Sequence, residues 1–183
     1  LNIGYKGYVG VSADVYALQV LGTVLGSGQS SRLYQRLVKD SQLAISASSF
    51  TSSRRGPGAF RISATIAPNK KYEDVEAAIY EEIARLQKEP IADWELEKAK
   101  QLARRSAVGS RQSSLGLAIN ITEGVVAWND PNYANTRLEK IMAVTKEDVQ
   151  RVAQKYLQSS KRTVGVAIPK APSMAAPPAG ASQ

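Results

Sequence analysis

Apolar positions along the chain alternate between two rhythms, one of period two and one of period near 3.6. Residues 1–10, LNIGYKGYVG, are rich in aromatic residues and glycine and read as a short strand. From Ser12, a candidate cap, Val15, Leu18, Leu21, Val24 and Leu25 recur at helical spacing. Gly26 and Gly28 are expected to end that helix by taking positive φ values. Ser30 or Ser31 then caps a second helix with Leu33, Leu37 and Val38 on one face. The rhythm shortens at LAISASSFTSS (43–53), which alternates small polar and apolar residues. After the turn signal RRGPG (54–58), Phe60, Ile62, Ala64 and Ile66 alternate until Pro68, so the two runs form a hairpin with one buried face.

The second half is helical. Val75, Ala78, Ile79, Ile83 and Leu86 form a stripe over about 71–88, broken at Glu89-Pro90. Asp93 is a candidate cap for WELEKAKQLARRSAVGS, whose Glu95 and Glu97 stand early and Arg104 and Arg105 late, in the sense the helix dipole favours. Gly109 or Ser113-Ser114 divides this segment from one reaching about Trp128, and NDPN (129–132) is a turn. A short helix covers 133–143, and Thr145 with Asp148 resembles a capping box before a helix ending near Leu157. RTVGVAIP (162–169) is a last strand, and the Pro/Ala-rich residues 170–183 are expected to be a disordered tail. The order predicts an α+β domain over 1–169: a largely antiparallel sheet of about four strands with helices on one face.

Composition narrows the chemistry. The chain of 183 residues is 43% hydrophobic and 22% charged, a globular balance, with length enough for one domain with a sizeable core or two very small ones. No window approaches the roughly 18 apolar residues of a membrane span. Leu1 is not Met and no leader pattern follows, so the start is expected to be a cut inside a longer protein. There is no Cys and no His, which removes disulfides, thiolate nucleophiles, the usual general base and the commonest zinc ligands. A net charge of +8 raises nucleic-acid binding, but the cations are dispersed, the densest pairs being Lys70-Lys71, Arg54-Arg55 and Arg104-Arg105, and solvated faces explain them better.

LGSGQSSRLYQRLV (25–38) has the look of a phosphate loop, yet it lacks the third glycine of the dinucleotide fingerprint, the Gly-Lys-Ser/Thr of a Walker loop and a preceding strand. A helix–loop–helix corner accounts for it instead. The carboxylate pairs Glu81-Glu82, Glu95/Glu97 and Glu147-Asp148 stand beside no His and no D-x-D loop, and serine has neither a G-x-S-x-G elbow nor an S-x-x-K partner. Solvated helix faces explain these carboxylates better, and carboxylate-only chemistry, with Mg²⁺ for instance, is what the composition leaves open.

Seven segments in order carry a resemblance: ALQVLGTVLGSGQSSRLYQRLV (17–38), QLAISAS (42–48), PGAFRISATIAP (57–68), ARLQKEPIADWELEKAKQ (84–101), EGVVAWNDP (123–131), MAVTKEDVQRVAQKYL (142–157) and RTVGVAIP (162–169). Over about residues 8–169 the chain resembles the non-catalytic C-terminal domain of insulinase/pitrilysin-type zinc peptidases, in their bacterial, mitochondrial-processing-peptidase-like branch. The resemblance implies a metalloenzyme half-domain of the processing-peptidase type. It implies a partner half, N-terminal in the same protein, whose H-x-x-E-H motif and distal Glu hold zinc. It implies that this half encloses a chamber and helps to hold a peptide substrate, without binding zinc or acting alone.

In many such relatives the C-terminal half carries an Arg and, seven residues later, a Tyr that contact substrate. Alignment on Leu43-Ala44 places Val38 and Ile45 at those positions, and neither donates a hydrogen bond. This half then either binds substrate differently or leaves that role to a homologous subunit that supplies the pair. Arg32 and Tyr34 are substitute candidates, against the plainer reading that Arg32 anchors the corner and Tyr34 packs beside it. A second reading of the same fold is a structural or assembly subunit without proteolysis. A bacterial periplasm is favoured over cytoplasm, with no nucleic acid and no membrane span among the expected partners.

Overall fold

The computed structural model describes residues 1–9, 11–52 and 56–168. The tail expected at 170–183, and Arg54 and Arg55 of the expected turn, lie outside the described residues.

Among the described residues four strands, β1 (Asn2–Val9), β2 (Ala44–Thr51), β3 (Pro57–Ile66) and β4 (Arg162–Gly165), form one antiparallel sheet in the order β2-β3-β1-β4. Six α-helices join and cover it: α1 (Asp14–Gly26), α2 (Tyr72–Lys88), α3 (Asp93–Arg111), α4 (Ser114–Trp128), α5 (Tyr133–Met142) and α6 (Lys146–Tyr156). This is the α+β arrangement that the hydrophobic pattern predicts. Among the described residues no helix is long and apolar enough to cross a membrane.

α1 is the central element. Its apolar residues run all the way round, and Val15, Leu18, Leu21, Val24 and Leu25 are fully buried between sheet and outer helices. Each such side chain contributes about 1.5–3 kcal/mol of burial free energy. α2 and α6 pack one stripe each, through Val75, Ile79 and Leu86 and through Val149, Val152 and Ala153. Asp14 ties the start of α1 to α6, accepting from Arg151 at 2.7 Å, Lys155 at 2.8 Å and Tyr156 at 2.7 Å.

Several local expectations are corrected. Gly28 has φ +77°, but Gly26 has no positive φ and is the last residue of α1. Its glycine is required by contact, since a Cβ there would lie 2.1 Å from the Ser49 amide nitrogen. Ser12 does not cap α1: Ala13 holds that position and the Ser12 hydroxyl is buried without a partner among the described residues. The second helix, starting at Arg32, continues as a π-helix over Tyr34–Asp40. Ser31 donates its hydroxyl to the Gly28 carbonyl, and Ser30 accepts from Lys98, so neither side chain caps it. Asp93 is the first residue of α3 and not its cap; the Glu95 carboxylate takes the Ala92 amide at 2.9 Å. Ser113 does divide α3 from α4, accepting the Gly116 amide. Thr145 and Asp148 close a reciprocal capping box. The last strand stops at Gly165.

The helices leave one sheet face uncovered. Ile3, Tyr5, Phe60, Ile62 and Ala64 point to the helical side, and their neighbours Asn2, Lys6, Arg61, Ser63 and Thr65 point away. The register aligns Ser48 with Ser63 and Ser63 with Asn2 across three strands. Two bulges bend this surface. One lies at Gly7, whose φ of +118° suits glycine, and one at Ile45, between the paired residues Ala44 and Ser46.

Candidate functional site

The uncovered face carries a groove of about 880 Å³ at the β2–β3–β1 end. Its floor consists of Asn2, Ser46, Ser48, Ser63 and Thr65, the outward residues of three strands. The floor is ordered by its own hydrogen bonds: Ser63 donates to Asn2 Oδ1 at 2.6 Å and Ser46 to Thr65 Oγ1 at 3.0 Å. Each hydroxyl keeps further lone pairs for a ligand. Lys70, Lys71, Tyr72 and Glu73 stand along one wall and Ile168 along another. Further along the same face Arg61 lies 6.0 Å from the centre of the Phe50 ring. The surface can exchange hydrogen bonds with peptide backbone and attract anionic groups.

The sequence candidates lie elsewhere or contribute differently. Arg32 turns to α3 and grips Glu95 with two parallel hydrogen bonds, Nε to Oε1 at 2.7 Å and Nη2 to Oε2 at 2.6 Å. Burial pushes the Glu95 carboxyl up, but the Arg32 and Ala92 hydrogen bonds outweigh it and hold the group below the ordinary range. The Glu95 hydrogen bonds raise the Arg32 guanidinium in turn. Lys98 completes the seam by donating to the carbonyl and the hydroxyl of Ser30, both at 3.0 Å, and burial lowers its ammonium. The corner 25–38 is thus bolted to α3. Tyr34 is partly buried on the π-helix. Val38 is partly buried against the core. Ile45 is 60% exposed at the β2 bulge, next to the groove's Ser46.

The paired carboxylates have other partners. Arg36 meets Glu81 at 2.9 Å, Arg85 meets Glu82 at 3.1 Å, Gln101 donates to Glu97 at 2.6 Å and Arg151 meets Asp148 at 3.0 Å. Among the described residues no group of three His, Cys, Asp or Glu side chains converges to hold a metal. With no imidazole or thiolate in the sequence and the buried carboxylates Glu82 and Glu95 committed to arginines, these residues do not fit a zinc site.

Sequence reasoning missed the groove. The outward set was legible as the polar half of each alternation, but nothing local marks which sheet face stays bare.

Residues 1–103 match the family model of the peptidase M16 inactive domain. The chain belongs to that family. A Streptomyces coelicolor protein named as a zinc protease is 28% identical over 155 residues, covering 85% of this chain and 34% of the relative. The solved inactive peptidase domain of a zinc protease from Bordetella parapertussis is similar with a TM-score of 0.86 at 25% identity, covering 96% of this chain and 93% of that one. A solved Helicobacter pylori protease is similar with a TM-score of 0.83 at 27% identity, covering 88% of this chain and 39% of that one. This M16 inactive domain thus spans about a third of the length of curated relatives such as the Streptomyces one. The insulinase-type resemblance read from the sequence is the same assignment, and its relatives are named as zinc proteases.

Proposed function

We propose that this M16 inactive domain, taken as residues 1–169, closes the substrate chamber of a zinc endopeptidase and helps to hold the peptide, while a separate N-terminal half supplies the metal. The observation that carries the reading is the bare sheet face, with an 880 Å³ groove in which the hydroxyl and amide groups of three strands lie between apolar and charged walls.

In this reading Ser46, Ser48, Ser63, Thr65 and Asn2 exchange hydrogen bonds with an extended peptide, and Lys70 and Lys71 favour acidic side chains near the groove. Fixing the peptide lowers the entropic part of the barrier for chemistry performed by the other half. Val38 and Ile45 cannot bond a substrate carbonyl, so a homologous subunit supplies the Arg/Tyr contact. Arg32 and Tyr34 stay with the corner that supports β2. Zinc belongs to the other half.

The test joins metal analysis, peptide cleavage and peptide binding. The purified chain is expected to hold no stoichiometric zinc and to cleave no peptide. Ser63→Trp, which fills the groove from an outward position, is expected to weaken peptide binding about tenfold while leaving thermal stability near that of the parent. One bound zinc, cleavage by the chain alone, or undiminished peptide binding by the variant would overturn the reading.

A further inference from the structure

α4 carries the most exposed aliphatic surface of the domain. Its sequence SLGLAINITEGVVAW has one charged residue, Glu123, although the whole chain has a net charge of +8. The helix is oriented by its inner side. Gly124 packs so close to α5 that a Cβ there would lie 2.9 Å from the Tyr133 Cβ, and Trp128 is stacked between Tyr16, at 5.7 Å, and Tyr133, at 4.6 Å. Leu115, Ile119 and Val126 stand roughly 180° from Gly124 around the helix. They are 71%, 57% and 62% exposed. With the exposed Thr122 they are spaced by four, three and four residues, the seam spacing of a helix packed on a second helix. Leu117, Ile121 and Val125, 43%, 42% and 47% exposed, form a second apolar row on the flank between this stripe and Gly124. A contiguous apolar surface of this kind marks an interaction site.

We propose that this stripe of α4 is the seat of an apolar helix from the part of the longer polypeptide outside these 183 residues. Three observations fix that occupant. The seam spacing selects a helix over a strand or a loop. Curated relatives are about three times as long as the match, which leaves ample chain to supply one. A second copy is disfavoured because each whole chain carries a net charge of +8, so two copies repel as they approach. The inference rests on the reading that a zinc-bearing half shares the polypeptide.

Hydrogen–deuterium exchange across residues 114–128 tests it, measured in the whole gene product and in the 183-residue chain, with zinc content determined on the same samples. The expected result is exchange about tenfold slower in the whole product, with the slowing lost in an Ile119→Glu/Val126→Glu variant whose α1 amides stay protected. Equal exchange in both proteins overturns the proposal. Slowing in the isolated chain that grows with concentration, with a dimer in sedimentation, assigns the stripe to a second copy and also overturns it. Zinc in a product with unprotected α4 sinks the docking alone. Protected α4 in a zinc-free product sinks the chamber reading alone.

Discussion

Arg32 and Glu95, 63 residues apart, meet through two hydrogen bonds of 2.7 and 2.6 Å and lock the α1–π-helix corner to α3. Arg32→Ala leaves a buried carboxylate without its partner and is expected to lower unfolding free energy by about 3 kcal/mol, the cost of breaking a buried pair somewhat reduced by Arg32's partial exposure. Denaturant titration checks this. A joint Arg32→Met/Glu95→Leu replacement should lose much less, because no charge is left stranded.

Acidification should destabilise the domain through two carboxyls. Burial alone would raise both Glu95 and Asp14, but their hydrogen bonds, from Arg32 in one case and from Lys155, Tyr156 and Arg151 in the other, hold both below their ordinary values. A depressed folded-state value means that the stabilisation is complete above the unfolded-state value, near 4.5 for Glu95 and 3.8 for Asp14, and is lost as pH falls from there toward the folded values. Thermal melts from pH 6 downward should show stability declining below about pH 4.5, with a shallower decline in a Glu95→Gln/Asp14→Asn variant.

Two glycines of the helices should respond oppositely to alanine. Gly26→Ala places a methyl against the Ser49 and Ser48 backbone, which cannot move without disturbing the β2–β3 ladder, and should cost about 3 kcal/mol or more. Gly109→Ala, inside α3 with nothing within 4 Å of the added carbon, should gain about 0.5–1 kcal/mol. Paired urea titrations decide it, and similar values for both variants would refute the close-approach account.

Thr145→Ala removes the acceptor for the Asp148 amide and should cost about 1 kcal/mol, with Thr145→Ser close to the parent. Thermal unfolding of the three proteins measures the difference.

The short-range features were legible because they are written in contiguous residues. The stripe of α1, the β2–β3 alternation, the Ser113 break and the Thr145 box each follow from a dozen residues or fewer. The π-helix was not legible, since it depends on where the chain goes next: Ser41 turns its amide back to the Arg36 carbonyl and Leu43 its amide to the Leu37 carbonyl. The grip of Arg32 on Glu95 crosses 63 residues, and no local pattern announces it. The cap of α3 is hidden from the sequence for a related reason. Asp93 has the right side chain for a cap, but Glu95 two positions on reaches back to the Ala92 amide and leaves it no vacancy. The groove combines both difficulties, because its floor draws on β1, β2 and β3 and its existence depends on which face the helices do not reach.

The bulge at Ile45 acts as a spare residue in the strand's parity. Ala44 faces inward opposite Ile66, and Ser46 faces outward opposite Thr65, so the inward–outward alternation of the ladder passes from 44 to 46 as though 45 were not there. Excising Ile45 would straighten β2 and leave each remaining side chain on its present side of the sheet. Excising Ala47, one step past Ser46, would force the segments on either side of the cut out of phase with β3, turning core side chains toward the groove or groove hydroxyls into the core. Ile45, the position at which the family resemblance implies a substrate-contacting Tyr in many relatives, is thus the residue of β2 that the fold can most easily do without.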